Sequence, residues 1–126
     1  MQTSNFATWR GHWDDPRLVA ISLGVPRGWH GRWLRRLAPS GLLLNDWHEH
    51  RITWGQYVMR YRVETLARLN AAEVAAELGP DAILLCWEPD APHLECHRRL
   101  VAHWFQGELG ILVPEWEPEN SSTSFA

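Results

Sequence analysis

Ala82-Ile83-Leu84-Leu85-Cys86-Trp87 is the stretch whose reading decides the fold. It is a continuous apolar run with no polar alternation. Gly79-Pro80 precedes it, and a proline-bearing segment from Glu88 to Glu95 follows it. An uninterrupted run of this length reads as a strand covered on both faces, the state of a strand inside a parallel sheet. Working outward, Leu18-Val19-Ala20-Ile21-Ser22 is a second short apolar run, closed by Gly24 and Pro26. Ser4-Asn5-Phe6-Ala7-Thr8 reads as a weaker strand, and Ile111-Leu112-Val113 as a last short one before Pro114.

The segments between these runs read as helices. Pro39-Ser40 opens a helical stretch to about His50. Thr53-Trp54-Gly55-Gln56 is a capping box, and it opens a longer helix with Trp54, Tyr57, Val58, Tyr61, Leu66 and Leu69 at helical spacing. Asn70-Ala71-Ala72-Glu73 opens another, stopped by Gly79-Pro80. From Cys96 onward, Leu100, Val101, Trp104, Phe105 and Leu109 trace one helical face, ended by Gly110. Strand, helix, strand in this order is a βαβ arrangement. The expected fold is α/β: a small three-layer, mostly parallel sheet flanked by helices. Residues 1–113 form one domain, and residues 114–126 an acidic, Ser/Thr-rich tail expected to be disordered.

The charge pattern agrees with that division. The net charge of -3 matches Glu115, Glu117 and Glu119 in the last segment, which leave 12 of the 15 acidic residues against 12 basic ones. Every basic residue is an arginine. The absence of lysine excludes a Schiff-base lysine, a lysine nucleophile and a Gly-Lys-Ser/Thr phosphate loop. No run approaches the ~18–20 apolar residues of a membrane span. The N-terminal residues lack the pattern of a secretory signal. Two cysteines in such a chain are expected to be thiols in a reducing, cytoplasmic setting, and no membrane partner is expected.

In open parallel sheets, ligands bind beyond the carboxyl ends of the strands. Two loops leave such ends, Leu23 to Arg32 and Cys86 to Cys96. They wall one crevice if their strands are neighbours. The second loop holds Cys86, Glu88, Cys96, His97 and Arg98. Its helix has no evident N-cap, so backbone N–H groups stand ready for an anion, and a cysteine there has its thiolate favoured. From Arg17 to Asn45 there are five arginines and no acidic residue: Arg17, Arg27, Arg32, Arg35 and Arg36, with Trp29 and Trp33 interleaved. Guanidinium forks suit phosphate or carboxylate, and indole rings suit base stacking.

At these residues the chain resembles a known family. Leu84-Leu85-Cys86-Trp87-Glu88 and Cys96-His97-Arg98-Arg99-Leu100-Val101-Ala102 resemble the Cys-x-Glu … Cys-His-Arg signature of the domain of unknown function 488 family. Ile21-Ser22 through Pro26 and Trp29, Leu37-Ala38-Pro39, Ile52-Thr53-Trp54 and Tyr57 to Tyr61 agree with it in order, over roughly residues 3 to 113. The resemblance implies an α/β fold and points to Cys86, Glu88, Cys96, His97 and Arg98 as motif positions. It implies no reaction.

The expected reading is a small enzyme acting on an anionic, nucleotide-like substrate. Cys86, Glu88, Cys96 and His97 are the expected catalytic groups. Ser22, Arg27, Trp29 and Arg98 are the expected substrate or anion contacts. No cofactor and no metal are expected. Zinc at Cys86, His93, Cys96 and His97 is disfavoured, since neither Cys-x-x-Cys nor His-x-x-x-His occurs. The Cys-x5-Arg loop of phosphatases is also absent. A Cys86–Cys96 disulfide needs Cα atoms within about 7 Å. The alternatives are a non-catalytic module binding single-stranded nucleic acid through Arg27, Arg32, Arg35, Arg36, Trp29 and Trp33, and a partner-binding protein using its nine tryptophans. The oligomeric state stays open.

Overall fold

A computed structural model describes residues 1–88 and 95–118. Four strands, β1 Gln2–Asn5, β2 Leu18–Ala20, β3 Arg32–Trp33 and β4 Ile83–Cys86, form one sheet in the order β1-β4-β2-β3. Every neighbouring pair is parallel. The decisive apolar run is therefore an inner strand, with Ile83, Leu84, Leu85 and Cys86 each 0% exposed. Alternate side chains serve opposite faces. Leu84 and Val19 join one core, while Ile83, Leu85, Leu18 and Ala20 join another.

Four helices, α1 Gly41–His48, α2 Trp54–Glu64, α3 Ala71–Leu78 and α4 His97–Leu109, all contribute to the first core. Leu43, Tyr57, Tyr61, Val74, Leu78, Val101 and Phe105 are their buried contacts. No described helix contributes to the second core. That face is covered by turns and loops carrying Phe6, Trp9, Trp13, Val25, Trp29 and Trp116. The chain is thus α/β with a parallel sheet, and its third layer is aromatic coil. Large rings can cover a sheet without helical geometry because each buries about 150–250 Å². Several of the tryptophans are used in this way.

The local stop and start signals act as read. Thr53 accepts from Gln56 N at 3.1 Å, and the Gln56 side chain accepts from Thr53 N at 2.8 Å. Asn70 accepts from Glu73 N, and Ser40 from Leu43 N. Gly79 and Gly110 have φ of 85° and 68°, in the left-handed region that favours glycine. The long helix stops earlier than its apolar spacing implied: α2 ends at Glu64, and Leu66–Arg68 is a separate 3-10 turn.

The edge strands differ from the sequence reading. The N-terminal strand is Gln2–Asn5, not Ser4–Thr8. Its register is set by backbone pairing with β4, so Thr3, Ser4 and Asn5 are buried despite their polarity. β3 lies within the stretch read as a loop, pairing with β2 over two exposed residues. Ile111-Leu112-Val113 is not a strand, and Leu112 is 72% exposed. The pairing falls later, as a parallel bridge between Thr3 and Glu115. Thr3 N donates to Pro114 O and Trp116 N to Thr3 O. Pro114, Glu115 and Trp116, placed in the tail by the sequence reading, therefore pack against β1. Residues 119–126 lie outside the described residues. Among the described residues, no helix is long and apolar enough to cross a membrane.

Candidate active site

Because β2 and β4 are neighbours, the two loops predicted to wall a crevice leave the sheet side by side. Ile21 N donates to Leu85 O at 3.0 Å, and Trp87 Nε1 donates to Gly24 O at 3.0 Å, which ties the loops together. On the other flank, Asn5 of β1 lies opposite Cys86.

Cys86 ends β4, and Cys96 is the N-cap of α4, where its side chain makes no capping bond. Both are buried, and the structure joins their sulfurs as a disulfide, where the sequence led us to expect two free thiols: the strand end and the helix start bring the side chains together. Their Cα atoms are 7.8 Å apart, beyond the ~4.4–6.8 Å usual for a covalent bridge. Glu88 Oε1 lies 3.0 Å from Cys96 Sγ.

Arg98 is 0% exposed. Its spacing to Val101, Ala102 and Phe105 is helical, so α4 turns it inward with the core residues. Nη1 donates to Cys86 Sγ at 3.0 Å and to Glu88 O at 2.5 Å. Nη2 and Nε donate to Glu115 Oε1 and Oε2 at 2.8 and 3.1 Å, a bidentate pair. Burial pushes the Glu115 carboxyl up. The hydrogen bonds from Arg98 and Thr3 and the charges of Arg98 and Arg99 outweigh this and hold it below the usual value.

His97 is also buried, with Nε2 2.8 Å from Ile21 O. A carbonyl only accepts, so Nε2 carries the proton. The ring meets Tyr61 edge-on at 5.7 Å. Burial, helped by the Arg98 charge and opposed by the Ile21 bond, pushes its pKa down to about 4. The imidazole is neutral at pH 7.

The first loop is less open than its composition suggested. Ser22 is buried; its hydroxyl donates to Gly24 O at 2.6 Å, and its carbonyl accepts from Trp33 Nε1 at 2.8 Å. Arg32 donates to Glu77 O and Leu78 O, carbonyls at the end of α3. Arg36 pairs with Glu77, and Arg35 lies over the Trp33 ring at 5.3 Å. Trp29 packs on Phe6 and Trp13 in the aromatic layer. Arg27 is exposed. The structure thus gathers Cys86, Glu88, Cys96, His97 and Arg98, with Ser22 in the adjoining loop. It places Trp29 in the coil layer of the fold. His93 lies outside the described residues.

Two residues join the site without having been read from the sequence. Glu115 stood in the presumed tail, and no spacing marks which carboxylate answers a buried arginine. Tyr57 read as core, and it is buried. Burial and then the negative charge of Glu88 push its phenol up, so the ring lies within electrostatic reach of the crevice. Among the described residues, donor atoms of Cys86, Glu88 and Cys96 lie within 4.8 Å of one another.

The sequence profile described as "DUF488-N3a: Active DUF488-N3 subclade" matches residues 13–109. The match contains Cys86, Glu88, Cys96, His97 and Arg98 and leaves out Thr3 and Glu115. No curated protein and no solved structure matches the chain.

Proposed function

The chain belongs to the DUF488-N3a family, and we propose that it is a small enzyme whose chemistry runs through Cys86 and Cys96 on an anionic, nucleotide-like substrate. One observation carries this reading: two sulfurs meet at the end of the central strand, one 3.0 Å from the Arg98 guanidinium and the other 3.0 Å from the Glu88 carboxylate. A guanidinium beside a sulfur favours its thiolate, and a carboxylate beside a thiol accepts its proton. In this reading the disulfide is the oxidised form of the pair, and once it is reduced Cys96 is the nucleophile and Glu88 its proton acceptor. Arg98 supports the charge on Cys86. His97, neutral and bonded to Ile21 O, positions the start of α4 instead of moving protons. Arg98 is engaged by Glu115, so the substrate anion falls to Arg27 and the first N–H groups of α4. Trp87, 50% exposed at the mouth, is the stacking surface.

The test uses reduced protein labelled with carbon-13 at the cysteine β-carbons. Two cysteines give two signals, and a Cys96→Ala variant assigns them. The expected result is a thiolate signal at neutral pH and a saturable change in both signals on adding nucleoside 5′-monophosphates. Trp87→Ala should weaken that binding by about 5- to 150-fold, the equivalent of ~1–3 kcal/mol of base stacking. Two thiol signals up to pH 8, unmoved by any nucleotide, would overturn the proposal.

A second reading is favoured by the convergence of Cys86, Glu88 and Cys96 within 4.8 Å. Thiolate and carboxylate donors suit zinc. Addition of Co²⁺ separates the two. A thiolate-to-cobalt charge-transfer band at one ion per chain, lost in Cys86→Ala, would select the metal reading. Without the band, the thiol reading stands.

The alternative of a nucleic-acid module loses support from the contacts described. Arg32, Arg35, Arg36 and Trp33 are engaged within the protein, and Trp29 is packed in the coil layer. Titration with single-stranded oligonucleotides at two salt concentrations checks this, with no salt-sensitive binding expected.

A further inference from the structure

We propose that the groove between the 3-10 turn after β3 and the end of α2 is a second anion site, shaped for the terminal phosphate of a small phosphomonoester. The inference goes beyond the thiol reading and does not rest on it. Cys86, Glu88, Cys96, His97 and Arg98 take no part in the lining.

The 3-10 turn Arg35–Leu37 follows β3, and the turn Leu66–Arg68 follows α2. Both contribute to one cavity of about 390 Å³, within the size range of ligand pockets. The two segments are fastened together beneath it. The Tyr61 hydroxyl donates to Leu37 O at 2.7 Å and the Thr65 hydroxyl to Ala38 O at 3.2 Å, both bonds buried. The walls are therefore set before a ligand arrives. Leu23, Pro39 and Leu69 give the cavity apolar surface, and Arg35, Arg36 and Arg68 give it charge.

That charge is mostly unspent. Glu64, the one carboxylate among the described lining residues, has other partners: Ser40 Oγ donates to Oε1 and Arg60 Nε to Oε2, each at 3.0 Å. Arg36 pairs with Glu77. Among the described residues, no carboxylate pairs with Arg35 or Arg68. Arg35 lies over the Trp33 ring at 5.3 Å, and a ring face holds the plane of a guanidinium while leaving its N–H edge free. Two unpaired cations thus line a cavity with apolar walls, an arrangement that concentrates the field on an entering anion.

Guanidinium forks match phosphate oxygens. A phosphomonoester carries up to about two negative charges at pH 7 and a single organic group, which the apolar surface can cover. A phosphodiester in a polymer carries one charge and extends in both directions, so it fits the cavity less well. This agrees with the outcome expected above for oligonucleotides.

The experiment is an amide NMR titration of the full-length chain with inorganic phosphate and with phenyl phosphate. Saturable shifts are expected at Arg35, Arg36 and residues 64–69, with a dissociation constant of about 1 mM for inorganic phosphate. Phenyl phosphate should bind about fivefold more tightly, because its ring covers apolar surface. Arg35 and Arg68 are exposed, so replacing them leaves the core intact. Arg35→Gln and Arg68→Gln should each weaken binding by about fivefold or more. Arg10→Gln, at an exposed position outside the groove, should leave it unchanged. No saturable shift up to about 10 mM, or full affinity in both groove variants, would overturn the proposal. Shifts confined to the start of α4 would overturn it and leave the crevice reading standing. Groove binding without nucleotide binding in the crevice would sustain this site and count against the crevice.

Discussion

Replacing His97 by glutamine should remove a pH dependence that the fold builds into its own stability. The buried imidazole has its pKa lowered from 6.5 to about 4 by burial and by Arg98, against the Ile21 bond. A histidine with a depressed folded pKa leaves stability intact above its unfolded value. That stability is lost as pH falls from 6.5 toward 4, because the unfolded chain takes up a proton the folded chain cannot hold. At ~1.4 kcal/mol per tenfold change in proton affinity, the loss is about 3 kcal/mol by pH 4, with about 2 kcal/mol of it gone by pH 5. Glutamine can still donate an N–H to Ile21 O and does not titrate. The other described histidines, His12, His30, His48, His50 and His103, are exposed and present in both proteins, so their contributions cancel in the comparison. Urea unfolding, followed by tryptophan fluorescence at pH 7.5, 6 and 5, gives the two stability curves. Wild type should lose about 2 kcal/mol more than His97→Gln on going from pH 7.5 to pH 5. Curves parallel to within about 0.5 kcal/mol would refute the assignment of a neutral, buried His97.

Three further perturbations follow from the same contacts. Arg98→Met strips the buried end of an ion pair and should cost about 3–5 kcal/mol; with Glu115→Gln in a double-mutant cycle, the combined loss should fall short of the sum by about 1 kcal/mol or more, and additive losses would deny the coupling. Tyr61→Phe removes the 2.7 Å bond from its hydroxyl to Leu37 O and leaves that carbonyl unpaired, so chemical denaturation should show a loss of about 1–3 kcal/mol. Thr53→Ala breaks the capping box of α2 and should cost about 1 kcal/mol, measured in the same way; a loss near zero would mean the box adds nothing.

The helix boundaries were legible because their causes are local. A Thr-x-x-Gln or Ser cap satisfies N–H groups within one turn, and Gly79 and Gly110 adopt their left-handed conformations in place. The inner strand β4 was legible because burial on both faces demands an unbroken apolar run. The edges were not. β1 is polar and buried, and its register comes from β4 on one side and residues 114–116 on the other. Apolar pattern carries no information about a strand whose position is chosen by backbone hydrogen bonds. The tryptophans were read as a possible partner surface, and several became the layer that helices do not supply on the second face.

The candidate site divides in the same way. Cys86, Glu88, Cys96, His97 and Arg98 lie in one short segment around a strand end and a helix start, so their grouping was determined by the sequence itself. Their electrical character was decided only by the tertiary structure. Arg98 read as a hand for a substrate anion, but the contact of residues 114–116 with Thr3 brings Glu115 to its guanidinium. His97 read as a proton carrier, but the adjacency of β2 and β4 offers it the Ile21 carbonyl and buries it neutral. Residue type states which charges a side chain can carry. Which of them it carries depends on partners distant in the chain and on the loss of water around it, and only the packed fold supplies both.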